Sequence, residues 1–128
     1  MDKSVPNGLR TWFVIHFVAD ILFAIPLLLF PQALLNLFDW KTYDPTMTRL
    51  VGAALMGIGV ESLLGRNANA DTFRVMLNLK AIWASSALVA IGIGIAEGAA
   101  STAWLFLAIF LVFWCVWVYY RLNLRRNK

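Results

Sequence analysis

Trp12-Phe13-Val14-Ile15-His16-Phe17-Val18-Ala19-Asp20 is the stretch on which the reading of the fold turns. It lies inside the first of four apolar runs. Each is long enough to cross a bilayer, whose hydrocarbon core takes about 20 helical residues. On a helix His16 and Asp20 are four apart and share a face. Both ionise, and both fall where lipid would surround them. Ionisable groups at that depth are costly and by default point to a function.

The surrounding composition supports a membrane setting. Of the 128 residues, 61% are hydrophobic, against about 45–50% in an ordinary soluble domain. The excess is gathered into long runs. The net charge of +4 comes from 11 basic and 7 acidic residues. The basic residues sit at the ends of the runs, as the positive-inside rule expects, so no nucleic-acid partner is inferred. The single cysteine, Cys115, excludes an intrachain disulfide and a cysteine-based metal site. It lies in an apolar run and reads as a small packing residue. Lys3 and Arg10 imitate the charged start of a signal peptide. The run that follows is too long for one and lacks a small-x-small cleavage site, so it reads as an uncleaved span.

In chain order, Met1–Leu9 is a short polar start with Pro6-Asn7-Gly8 as a turn signal. Span one covers about Arg10 to Phe30. Pro26 can kink its last turns, and Pro31 ends it. Pro31–Phe38 is short and amphipathic and is expected along the membrane interface. Asp39–Asp44 is a polar loop with interfacial aromatics. Asp44 and Pro45 suit the cap and first position of span two, about Pro45 to Leu64, with Gly65 as its C-cap. Asn69 or Asp71 caps span three, about Thr72 to Ala96. Glu97–Ser101 is a tight turn with Ser101 as a cap, and span four covers about Thr102 to Tyr120. Arg121, Arg125, Arg126 and Lys128 form a basic tail. The expectation is one all-α integral membrane domain over residues 1–128. It would be a four-span helix bundle, up-down-up-down, with a short interfacial helix after span one.

Basic residues set the orientation. With both termini cytoplasmic, the inner segments hold Lys3, Arg10, Arg66, Arg74, Arg121, Arg125, Arg126 and Lys128. The outer loops hold only Lys41 and Arg49, beside Asp39, Asp44 and Glu97. His16 then lies about 9 Å from Arg10 along the helix, Asp20 about 15 Å, Lys80 about 9 Å from Arg74, and Glu61 about 7 Å from Arg66. Four ionisable groups from three spans share the inner half of the bilayer, with Ser62 and Asn78 at similar depth. Lys80 could pair with Asp20 or Glu61, and His16 could share a proton with Asp20. The plainer alternative is a structural ion pair, with Lys80 and Glu61 snorkelling to the cytoplasmic surface. That alternative suits Asp20 least, because its side chain is short. A Schiff-base role for Lys80 is chemically allowed, but nothing else in the sequence supports it.

Two ridges of small residues are visible: Ala53, Gly57, Glu61 and Gly65 on span two, with Gly52 and Gly59 beside them, and Ser86, Ala90, Gly94 and Gly98 on span three. Such ridges allow close helix approach, within the chain or between protomers. Span four carries an aromatic face of Phe106, Phe110, Phe113, Trp117 and Tyr120, flanked by Trp114 and Tyr119. Trp12, Asn78, Trp83 and Trp117 are candidate pocket-lining residues.

Nucleotide-binding, zinc-protease and nucleophile-elbow motifs are absent. No cofactor or metal is expected: there is no second histidine to complete a metal site, and a haem would usually take a second axial ligand. In outline the chain resembles a small bacterial four-span inner-membrane protein. The leading expectation is binding or transport of a small solute or proton by His16, Asp20, Glu61 and Lys80, completed by a homo-oligomer. Asp20 would be the acceptor, His16 its relay, Lys80 the counter-charge and Glu61 the cytoplasmic gate. Two other readings are a structural or accessory subunit docked on a partner membrane subunit, and an intramembrane enzyme acting on a lipid-like substrate.

Overall fold

The computed structural model describes residues 2 and 4–126, with only the backbone of 125 and 126. Five helices make up most of them: α1 (Asn7–Leu29), α2 (Pro31–Leu37), α3 (Pro45–Gly65), α4 (Ala70–Ala96) and α5 (Ala103–Arg126). No strand occurs among the described residues. α1, α3, α4 and α5 are each long and apolar enough to cross a membrane. Large apolar side chains on them face outward: Leu22, Leu64 and Ile82 are 67%, 76% and 65% exposed. Water-soluble monomers seldom leave so much apolar surface uncovered, and the arrangement is compatible with a multi-pass membrane protein.

Local chemistry accounts for most helix ends. Phe30, pushed out of helical geometry by the following proline, separates α1 from α2 at φ −132° and ψ 51°. α2 closes in a Schellman turn. Asp39 takes the left-handed conformation at φ 59°, Trp40 N–H donates to the Leu35 carbonyl at 2.8 Å, and Asp39 N–H donates to Asn36 at 3.1 Å. Asp44 caps α3 by accepting from Met47 N–H at 2.8 Å. Asn69, not Asp71, caps α4 by accepting from Thr72 N–H at 3.0 Å. α4 ends in a second Schellman turn on Gly98, at φ 89°.

Several expected ends differ. Asn7-Gly8 lies inside the first turn of α1, so the turn signal gave way to helix N-terminal geometry. Gly65 is the last residue of α3, and Arg66 is its C-cap in ordinary helical geometry. The carbonyls there are served by arginines: Arg66 donates to Leu63 at 2.6 Å, and Arg10 to Arg66 at 2.7 Å. A left-handed glycine is therefore not required. α5 starts one residue beyond Thr102 and runs on to Arg126, because the basic tail is made of good helix formers. Lys3 and Lys128, used above for orientation, lie outside the described residues, as do the side chains of Arg125 and Arg126.

The chain divides into two compact units, Pro6–Asn67 and Met1–Val5 with Ala68–Lys128. In the first, α1 and α3 run antiparallel. Arg10 reaches Arg66, His16 meets Ser62, Asp20 lies on Gly59 and Leu27 on Gly52. α1 turns Leu9, Phe13, His16, Asp20, Ala24 and Leu27 inward at intervals of three and four. α3 answers with Gly52, Gly59 and Ser62. A Cβ added to Gly52 would sit 2.9 Å from Leu27 Cβ, and one on Gly59 2.7 Å from Asp20 Cβ. The ridge used for packing is thus not the one through Ala53, Gly57, Glu61 and Gly65. Gly57 has open space at its Cβ position, and Ala53 is exposed.

In the second unit α4 and α5 are also antiparallel, joined by a ladder of polar bonds. Arg74 donates to the Leu124 carbonyl at 2.9 Å, Arg121 to Asn78 Oδ1 at 2.6 Å, and Trp114 Nε1–H to Ser85 Oγ at 2.8 Å. Asp2 ties the start of the chain to this unit by accepting from Ala70 N–H at 3.0 Å. Trp117 is buried and stacks on Phe113, while Phe106, Phe110 and Tyr120 are half-buried. Cys115 is exposed. It stands on the outer face of α5 and is not the packing residue that its apolar run suggests.

Gly59 and Gly57 make a controlled pair. Gly59→Ala should destabilise the protein by about 1–3 kcal/mol, because Asp20 must move. Gly57→Ala should be neutral or up to about 1 kcal/mol stabilising. Unfolding in mixed detergent micelles, followed by circular dichroism, reads both.

Candidate functional site

His16 is placed by the register of α1, one turn from Asp20 on the inward face. Opposite it α3 brings Ser62, one turn beyond Gly59. All three side chains are buried, Asp20 with 8% exposure. His16 Nδ1 lies 3.3 Å from Ser62 Oγ and 3.3 Å from Asp20 Oδ2.

The hydrogen-bond inventory assigns the proton. Ser62 has one hydroxyl hydrogen and donates it to the Ile58 carbonyl at 2.7 Å, the usual bond of a helical serine to the preceding turn. Toward His16 the serine oxygen then only accepts. A carboxylate also only accepts. The hydrogen on the His16–Ser62 contact therefore belongs to His16 Nδ1 and goes to Ser62 Oγ, while Asp20 Oδ2, 3.3 Å from the same nitrogen, is its ion-pair neighbour and not a second hydrogen-bond acceptor. In the neutral ring Nε2 is then the basic nitrogen. Protonation there makes an imidazolium beside a carboxylate. Groups this close take up and release protons as a pair.

Glycine at position 59 is part of the site. Its missing side chain lets Asp20 lie against the α3 backbone, with Oδ2 3.3 Å from where a Cβ would stand. Little room is left on that side for a solute.

The other expected residues fall in different places. Glu61 precedes Ser62 by one residue and is half-buried, and the hydrogen bond between His16 and α3 is made with Ser62. Trp12 is half-buried on α1. Asn78, Lys80, Trp83 and Trp117 belong to the second unit. There Lys80 is 1% exposed, with Nζ 5.6 Å from the centre of the Trp117 ring, a cation–π contact. Asn78 accepts from Arg121, and Trp83 is half-buried. Among the described residues no group of three or more His, Cys, Asp or Glu side chains is arranged to hold a metal.

Ser62 and Gly59 are the site residues that sequence reasoning did not single out. The available signal was the spacing Gly52, Gly59, Ser62 at seven and three, which shares one helix face. The four-residue glycine–alanine ridge nearby drew the eye instead. No family model, curated protein or solved structure matches the chain.

The chain holds a single histidine, so its imidazole nitrogen NMR spectrum is unambiguous. The neutral ring should be the Nδ1–H tautomer. Ser62→Ala should shift the Nδ1 resonance while keeping the tautomer. An Nε2–H tautomer would contradict the proton assignment.

Proposed function

We propose that this is an integral membrane protein whose His16–Asp20–Ser62 cluster binds and passes a proton. In this reading α1, α3, α4 and α5 cross the bilayer up-down-up-down, α2 lies on the interface, and both termini are cytoplasmic. What supports the orientation is that basic side chains gather at one end of each helix pair: Arg10 with Arg66, and Arg74 with Arg121.

The observation that carries the reading is the position of His16 Nδ1, equidistant from a carboxylate and a hydroxyl within the apolar length of α1. An ionisable pair there is expensive to keep unless it does something. A proton is favoured over a larger solute because the close approach of Gly59 fills the space beside Asp20. Glu61, half-buried and next to Ser62 in the chain, is the group through which protons would exchange with the cytoplasmic surface.

A second reading, an accessory subunit, rests on a different observation. The Ala53–Gly57 strip of α3 is exposed, with open space over Gly57, and a partner helix could approach it closely. In that case the protein would carry no proton flux when pure.

Purified protein in liposomes with a trapped pH dye separates the two. An acid step should give flux above empty liposomes. Asp20→Asn should lower it roughly a hundredfold, the scale of removing a positioned proton-transfer group, with helix content unchanged. Wild-type flux at the level of empty liposomes, or an unaffected Asp20→Asn variant, would remove the proton-carrying reading.

A further inference from the structure

At the end of the α1–α3 pair remote from Arg10 and Arg66, the break at Pro31 opens a groove of about 700 Å3 between α2 and the first turns of α3. Its wall is apolar at Leu29 and Phe30, each 63% exposed. Its polar side chains are Gln32, Asn36, Tyr43 and Arg49.

Arg49 is the charged member. Its Nε–H donates to the Leu28 carbonyl at 3.1 Å, one of the carbonyls left over at the end of α1. This bond holds the guanidinium at the groove and uses one of its five donors. Among the described residues no carboxylate is paired with Arg49. The acidic groups nearby are engaged elsewhere: Asp39 with Lys41 at 3.6 Å, and Asp44 with Met47 N–H. The N-terminus of α3 is therefore already capped, and the groove's attraction for an anion comes from a side chain.

We infer that this groove seats an anionic phospholipid, with the phosphodiester on Arg49 and Tyr43 and an acyl chain along Leu29 and Phe30. The guanidinium fork matches two phosphate oxygens. Tyr43 supplies a neutral donor, and Gln32 and Asn36 face the glycerol-level oxygens. A free phosphate would use the cation and leave the apolar wall uncovered. A lipid uses both. The site rests on the membrane placement proposed above and adds to it a preference for headgroup charge at the non-cytoplasmic end.

The test is native mass spectrometry of the full chain released from nanodiscs of equal phosphatidylglycerol and phosphatidylcholine, with inorganic phosphate added in a parallel arm. Wild type should retain phosphatidylglycerol about tenfold over phosphatidylcholine, whose choline cation offsets the phosphate charge that Arg49 would meet. Arg49→Gln should bring the two to parity, and Tyr43→Phe, which removes a donor to the phosphodiester that both lipids carry, should lower the retention of each about threefold. Lys41→Gln, whose cation is already paired, should leave the preference intact, and phosphate should not displace the lipid. Because Arg49→Gln also frees the Leu28 carbonyl, Tyr43→Phe keeps the test decisive if that variant does not fold. Equal retention of both lipids by wild type, an unchanged preference in Arg49→Gln, unchanged retention in Tyr43→Phe, or displacement by inorganic phosphate would overturn the inference. Failure of the chain to enter nanodiscs would instead overturn the membrane placement.

Discussion

A carboxylate surrounded by apolar side chains must be hydrogen-bonded or neutralised, because stripping its water costs far more than a fold's whole margin of stability. Asp20 stands within ion-pair distance of His16 on its own helix, and His16 in turn bonds Ser62 on the next. Much of the α1–α3 pair follows from this. Ser62 must face His16, which fixes the rotation of α3. Asp20 must then lie on α3, which requires a residue without a side chain at 59. Gly52 repeats the close approach two turns away, and Arg10 closes the far end on the Arg66 carbonyl. A one-residue slip of α3 would place against His16 either Leu63, which has no acceptor, or Glu61, which would bring a second carboxylate beside Asp20. Polar groups used in this way specify register.

The α4–α5 pair obeys the same economy by other means. Its polar contacts form a ladder from Arg74 through Asn78 to Ser85, each answered from α5, and the Lys80 ammonium is set over an indole face. Meanwhile Ile82, Leu105 and Val112 stand outward. The ladder runs along the edge of the pair, where Asn78 and Ser85 are exposed, while Phe73, Leu77, Ala84 and Trp117 are buried. Apolar side chains thus stand both inside the pair and outside it, and in an apolar solvent, where hydrophobic attraction no longer holds helices together, hydrogen bonds and close packing would do so.

Helix positions were legible from the sequence because their determinants are local. Pro31 ends α1 and Asp44-Pro45 starts α3 through steric and capping effects within a few residues. Two helix ends differed: Asn7-Gly8 was taken into the first turn of α1, and at Gly65 arginines served the α3 carbonyls, so a left-handed glycine was not needed there. The site was half legible. His16 and Asp20 announce each other by their spacing on one helix. Ser62 does not, since serine is common in helices and its role depends on which face of α3 meets α1. That choice rested on two glycines seven residues apart, with Ser62 three further on, a weaker signal than the four-residue ridge beside them. The groove at Arg49 was also hidden, because it exists only once α2 folds back beside the start of α3.

The central claim is that Asp20 and His16 form a charge pair in which each is tolerable only because of the other. A double-mutant cycle on stability, built from Asp20→Asn, His16→Gln and the double variant in detergent micelles, measures this dependence directly. The account predicts a coupling of about 1–3 kcal/mol, with the double variant less damaged than the single effects would add up to. Additive effects, with coupling below about 0.3 kcal/mol, would mean that the two groups do not sustain each other and would contradict it.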